Sequence, residues 1–161
     1  MELFHGYCID TDALINLWRR IYPRDVFPSL WKEIENLIAQ GRLIIPREVL
    51  GELENFCDKD DELLKWIKKR KSMKEDLDKE QSKIVKDILA NSPKLIDADK
   101  PTSSDADPFL IALAKVKNWT VITSEKPTSP GGRPKIPDVC EHFGVKCIQL
   151  VEFFREQKWM F

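Results

Sequence analysis

The sequence predicts an α/β fold, a three-layer α/β/α sandwich around a central, mainly parallel sheet. Three observations predict it. Short β-like apolar runs alternate along the chain with longer runs at helical spacing. The 161 residues suit a single domain, residues 1–161, and 42% of them are hydrophobic, including five Trp and eight Phe, which supplies a core. No internal repeat or low-complexity tract interrupts the alternation.

The elements follow in order. Gly6-Tyr7-Cys8-Ile9 reads as a short buried strand ending at Asp10. Ala13 to Arg20 has helical spacing, with Leu14, Leu17, Trp18 and Ile21 on one stripe. Pro28-Ser29 opens a second helix through Trp31, Ile34, Leu37 and Ile38, stopped by Gly41. Leu43-Ile44-Ile45 is the next strand. Pro46 then fits a first helical position, followed by Val49, Leu50, Leu53 and Phe56 on one face. A highly charged segment, about residues 59–92, has Leu63, Leu64, Ile67, Ile84, Ile88 and Leu89 as anchors for one or two amphipathic helices, broken by Asn91-Ser92-Pro93. A polar loop, Pro101-Thr102-Ser103-Ser104, precedes a helix from about Asp105 to Lys117. Thr120-Val121-Ile122-Thr123 is a third strand. The proline- and glycine-rich stretch from Lys126 to Pro137 is an irregular loop. A short helix near Asp138–Phe143, a strand at Val145–Gln149 and a last helix from Val151 complete the chain.

Charged residues make up 33%, but 26 basic against 27 acidic side chains leave a net charge of -1. That excludes a globally basic nucleic-acid binder and leaves a local patch open. The four cysteines, Cys8, Cys57, Cys140 and Cys147, form no C-x-x-C pair, so neither a structural zinc site nor a disulfide framework is expected. Cys8 and Cys147 read as buried thiols. His5 and His142 stand at no recognisable spacing from a Ser or Cys nucleophile. Met1-Glu2-Leu3-Phe4-His5 lacks the pattern of a signal peptide, and no charge-free apolar window reaches about 18 residues. A soluble, cytoplasmic protein without a membrane partner is expected.

Function is suggested by carboxylates placed where a core would not want them. Asp10 follows the first strand, where it fits either a helix N-cap or a ligand at a sheet edge. Glu52 borders an apolar stripe, with Glu48 one turn earlier on the same side. Asp107 heads a stripe of Leu110, Ile111 and Ala114, so it needs a cap role, a basic partner or a cation. Pro108 after it makes Asp107 a candidate N-cap. Glu125 lies beyond the strand at residues 120–123. In parallel sheets ligands bind outside the carboxyl ends of the strands. Acids gathered there without Arg or Lys repel one another, and the usual remedy is a hard divalent cation, Mg²⁺ or Mn²⁺.

Ile9-Asp10-Thr11-Asp12, Pro46-Arg47-Glu48-Val49-Leu50-Gly51-Glu52-Leu53, Asp107-Pro108-Phe109-Leu110-Ile111-Ala112-Leu113-Ala114 and Val121-Ile122-Thr123-Ser124-Glu125 occur in that order. This resembles the PIN-domain nucleases over nearly the whole chain. The tail, Lys135 to Glu141 with Gly144 to Ile148, is similar to a prokaryotic PIN subfamily close to VapC-type toxins. The resemblance implies a Mg²⁺- or Mn²⁺-dependent ribonuclease. By position it makes Asp10, Glu52, Asp107 and Glu125 the catalytic and metal-binding acids, with Thr11, Asp12 and Thr123 supporting them. Asp12 stands where Asn or Ser is usual, and Glu125 where Asp is commoner. A toxin-like role would add an antitoxin protein and a homodimer as partners.

An RNA substrate also needs cations. Lys65, Lys68 and Lys69 share a helical face, and Lys126, Arg133 and Lys135 follow Glu125, so Lys65, Lys68, Lys69, Arg133 and Lys135 are the candidate RNA contacts. A solvated face is the plainer reading of the first group, since residues 59–90 carry ten basic and eight acidic side chains. Trp159 and Phe161 at the C-terminus fit either a partner contact or packing of the last helix. Two other functions stay open. Asp10-Thr11-Asp12 also resembles the D-x-D motif of haloacid-dehalogenase-like phosphatases, although no later acidic motif follows Thr123. A catalytically silent PIN-like module binding RNA or protein shares the same fold.

Overall fold

The computed structural model describes residues 5–95 and 105–161. The expected loop Pro101–Ser104 and the residues before His5 lie outside the described residues.

Among the described residues, five parallel strands form the sheet in the order β3-β2-β1-β4-β5. They are β1 (Tyr7–Ile9), β2 (Leu43–Pro46), β3 (Lys74–Glu75), β4 (Thr120–Ile122) and β5 (Cys147–Ile148). Tyr7 pairs with Leu43 on one side and with Thr120 on the other, and Val121 pairs with Cys147. Alternate residues of β1, β2, β4 and β5 enter different cores, as the pleat requires. Tyr7, Ile9, Leu43, Ile45, Ile122 and Ile148 belong to one apolar cluster. Cys8, Ile44 and Val121 belong to the other, with Cys147 packed against it. Both faces are therefore buried, which is why these strands read as apolar runs.

The first face is covered by α1 (Thr11–Ile15), α2 (Pro28–Ala39), α3 (Arg47–Phe56), α4 (Glu62–Lys68) and α8 (Leu150–Glu156). The second is covered by α5 (Lys79–Asn91), α6 (Asp107–Lys117) and α7 (Ile136–Phe143). The three-layer α/β/α architecture expected from the sequence is thus present.

Several details differ from the sequence reading. The first helix passes into a π-helical turn at Asn16–Arg20, which rotates Ile21 out of its stripe and into solvent. Pro46 ends β2 with an extended backbone, so α3 starts one residue later, at Arg47. Phe56, expected in the core, is exposed. Cys147 is only half-buried. The charged segment makes two helices, as one of its alternatives had it, and also the edge strand β3 between them. Ile136 and Pro137 already belong to α7, so the irregular loop is shorter than expected.

The segment is anchored by tryptophan. Trp18, Trp31 and Trp66 meet with ring centroids 5.2–5.4 Å apart. Glu35 accepts hydrogen bonds from Trp66 Nε1 at 2.7 Å and from Arg70 Nε at 2.8 Å. Arg70, one of the basic residues of this charged segment, is thereby held in the packing. At the C-terminus, Trp159 packs on Phe153 and Phe154, while Met160 and Phe161 are exposed. Among the described residues, no helix is long and apolar enough to cross a membrane.

Candidate functional site

The strand order places β1 between β2 and β4, so the chain leaves β1 toward one side and later returns on the other. Ligands of open parallel sheets bind beyond the carboxyl ends of the strands at such a switch point. There, a cleft of about 430 Å³ is lined by Asp10, Thr11, Asp12, Glu52, Asp107 and Glu125, with Ile15, Arg19, Arg20, Phe56 and Cys57. The structure therefore brings together the four acids singled out in the sequence.

Asp10 is fixed from several sides. Its backbone N–H continues the β1–β4 ladder to Ile122 O at 2.9 Å. Its Oδ1 accepts from Ala13 N at 2.6 Å, so it is the N-cap of α1, and its Oδ2 accepts from the buried Thr123 hydroxyl. Capping leaves lone pairs on both oxygens. Burial pushes the Asp10 carboxyl up to about 7; the Thr123 and Ala13 hydrogen bonds oppose this, and the charges of Glu125 and Asp12 add to it.

Glu52 is buried rather than solvent-facing. Thr11 Oγ1 donates to its Oε2 at 2.5 Å, and Ala106 N donates to its Oε1 at 2.8 Å. A side chain of α3 thus satisfies a backbone donor at the entry of α6. Burial raises its pKa against those two hydrogen bonds, and Asp105 and Glu125 raise it further.

Asp107 does not cap α6. Ala106 occupies the cap position without a side-chain bond, and Asp107 is the first helical residue, with Leu110, Ile111 and Ala114 buried behind it. Burial pushes its carboxyl up to about 9; Glu125, Asp10 and Glu52 push the same way and Arg133 opposes them. These three acids are 3%, 5% and 9% exposed for Asp10, Glu52 and Asp107 respectively, so the repulsion acts with little solvent screening. Glu125 is half-buried, and its Oε2 accepts from Ile136 N at 2.9 Å at the start of α7. Its backbone N–H donates to Thr123 Oγ1 at 3.0 Å, which couples it to Asp10 through one hydroxyl. Among the described residues, no three Asp, Glu, His or Cys side chains close on one point as a ready-made metal cage.

The remaining candidates fall elsewhere. Asp12 is exposed at the cleft mouth and pairs with Arg20 at 3.1 Å, so it does not stand beside Asp10 as a second inward acid. Asp138, a further acid in the first turn of α7, accepts from Lys135 N at 2.8 Å and from Thr128 N at 3.1 Å. Lys65, Lys68 and Lys69 do not line the cleft, and Lys65 pairs with Glu62 at 3.6 Å. Arg133 donates to Leu95 O at 3.0 Å, and Lys135 is exposed.

Among the described residues, the cations that do line the cleft are Arg19 and Arg20, and both were missed from the sequence. Arg19 pairs with Asp61 at 3.0 Å. A signal for Arg19 exists in the i, i+4, i+8 series Thr11, Ile15, Arg19, which places it on the helix face of a site residue. Asn16, whose Nδ2 donates to Ser124 Oγ at 2.8 Å, was also missed; it ties the π-helical turn to the strand end.

A family model described as a domain of unknown function (DUF4411) matches residues 7–161, so the chain belongs to this family. No curated protein matches the chain.

Proposed function

We propose that this member of the DUF4411 family is a Mg²⁺- or Mn²⁺-dependent ribonuclease, hydrolysing RNA phosphodiester bonds in the cleft above Asp10 and Asp107. One observation carries the reading: buried acids gather at the switch point of a parallel sheet, and their burial and mutual repulsion favour protonated forms. A site in that condition gains by exchanging protons for a cation. The order of its motifs, which resembles that of PIN-domain nucleases, supports the same chemistry.

The donor set fits such a cation in kind. All four acids offer hard oxygens, and Mg²⁺ binds through one or two carboxylates while keeping several waters, so a closed cage is not required. Asp10 and Asp107 are the residues that would hold it, with Glu52 and Glu125 placed to act through water. When bound, the cation supplies charge neutralisation, polarisation of a phosphoryl oxygen and a water of lowered pKa.

The chain's own groups do the rest. Thr123 and Ala13 hold Asp10 in one orientation, and Thr11 and Ala106 do so for Glu52. That fixed geometry orients a water for in-line attack. Glu125, less buried than the others, is placed to take up its proton. Arg19 and Arg20 at the mouth meet the phosphates on either side of the bond.

The test is cleavage of end-labelled RNA with Mg²⁺ or Mn²⁺ present. Asp10→Asn and Asp107→Asn should each lower the rate by about a hundredfold or more, the scale of lost transition-state electrostatics. Wild-type rates in either variant, or in EDTA, would sink the assignment. Expression in cells separates a toxin from an RNA-processing enzyme: a toxin arrests growth, and its Asp107→Asn variant does not.

A further inference from the structure

Phe56 is out of place for a core residue and well placed for a ligand. Its side chain follows Val49 and Leu53 at helical spacing, yet it is 55% exposed. It lines the same cleft as Asp10 and Asp107, which the other exposed large apolar residues among those described, such as Ile21, Val151 and Phe161, do not. Glu52 and Phe56 are one turn apart on α3, so the ring stands on the face of the buried carboxylate, about 6 Å further along the helix axis. The cleft is thus divided by chemistry. Acids form its floor, and at its mouth an apolar ring accompanies the guanidinium groups of Arg19 and Arg20.

We propose that Phe56 is a stacking platform for an unpaired base of the RNA strand beside the scissile phosphate, and hence a specificity-determining residue. This rests on the ribonuclease reading. A strand that lays its phosphates against the two arginines carries its bases past the ring, and an unpaired base offers a flat apolar face that an exposed aromatic ring accepts. A base inside a duplex has both faces covered by its neighbours, so the platform selects unpaired nucleotides.

The test is steady-state cleavage of a single-stranded oligoribonucleotide, with a set of copies in which one abasic nucleotide is moved across the cleavage site. In the wild type, one abasic position should raise KM about tenfold with little change in kcat, the scale of one lost stack. Phe56→Ala should raise KM for the intact RNA by the same factor and show no further penalty at that position. Phe56→Trp should restore the wild-type pattern, which loss of packing alone would not predict. Cleavage by Phe56→Ala with unchanged KM, or with the abasic penalty intact, overturns the platform while leaving the nuclease standing. Failure of the wild type to cleave RNA overturns the ribonuclease reading, and the platform with it.

Discussion

Burial sets the protonation of the cleft floor, and this has a measurable sign. Asp10 is pushed up to about 7 and Asp107 up to about 9, whereas an unfolded Asp titrates near 4. A carboxyl whose folded pKa lies above its unfolded value stabilises the fold in full below the unfolded value. It loses that contribution as pH rises through the folded one. Metal-free protein should therefore lose thermal stability between about pH 5 and pH 9, with Asp10 and Asp107 both contributing up to about pH 7 and Asp107 alone above it. Glu35 does not confuse this window: against the push of its burial, Arg70 and Trp66 draw it below its usual value, so its effect lies at lower pH. Asp107→Asn should remove the upper part of the fall and exceed the wild-type Tm in EDTA at about pH 9 by about 3 °C or more. A wild-type Tm that climbs from pH 5 to pH 9 would contradict this. Arg20 gives a second prediction at the same scale. Arg20→Ala should weaken RNA binding and reduce the slope of log affinity against log salt by about one, measured by fluorescence anisotropy. The four acids were legible in the sequence because Asp10 and Glu125 follow buried apolar strands, Asp107 heads a buried helical stripe and Glu52 borders one. Arg20 was not, because its place at the mouth depends on the π-helical turn, which no periodicity announces.

Helices and strands differ in how far their own residues announce them. The buried strands were legible as apolar runs, but β3 is two charged residues, Lys74 and Glu75, held by backbone pairing opposite Ile45 and Pro46. Nothing in its side chains marks a strand; charge on an edge strand is instead what discourages pairing with other chains. Phe56 and Ile21 show the opposite failure, apolar residues at helical spacing whose stripe has already ended. The helix α7 matters to the site because its first N–H holds Glu125. It ends at Gly144 with φ 68°, a left-handed backbone that a β-carbon disfavours. Gly144→Ala should cost about 1 kcal/mol in denaturant unfolding, with the Glu125 hydrogen bond loosened at the other end of the helix. Asp78, which caps α5 in a reciprocal box with Gln81, sits far along the chain from the acids. Asp78→Ala should lose about 1 kcal/mol as well, with activity per folded molecule unchanged. An equal loss of activity in both variants would deny α7 its positioning role.

At the scale of the molecule, alternation of strand and helix implied a parallel sheet, but the order of strands was not legible. It is set by which helices cross to which face. That order puts β1 beside β4, and it brings Asp10 within reach of Thr123 from more than a hundred residues away in sequence. The fold thus spends stability on its cleft, where burial and mutual repulsion of the acids raise the cost of their ionised forms. A bound divalent cation should return that stability, and only the folded chain presents the site, so the midpoint of unfolding should rise with the logarithm of Mn²⁺ concentration. Protons compete for the same oxygens, so the rise should be larger at about pH 8 than at about pH 6, and binding should release protons in calorimetry run in buffers of different ionisation heat. The doubly substituted Asp10→Asn, Asp107→Asn protein should show neither effect while unfolding cooperatively in EDTA. A Tm indifferent to millimolar Mn²⁺ at both pH values, or an equal shift in the doubly substituted protein, would mean that the acids are held together by the fold for some purpose other than a metal.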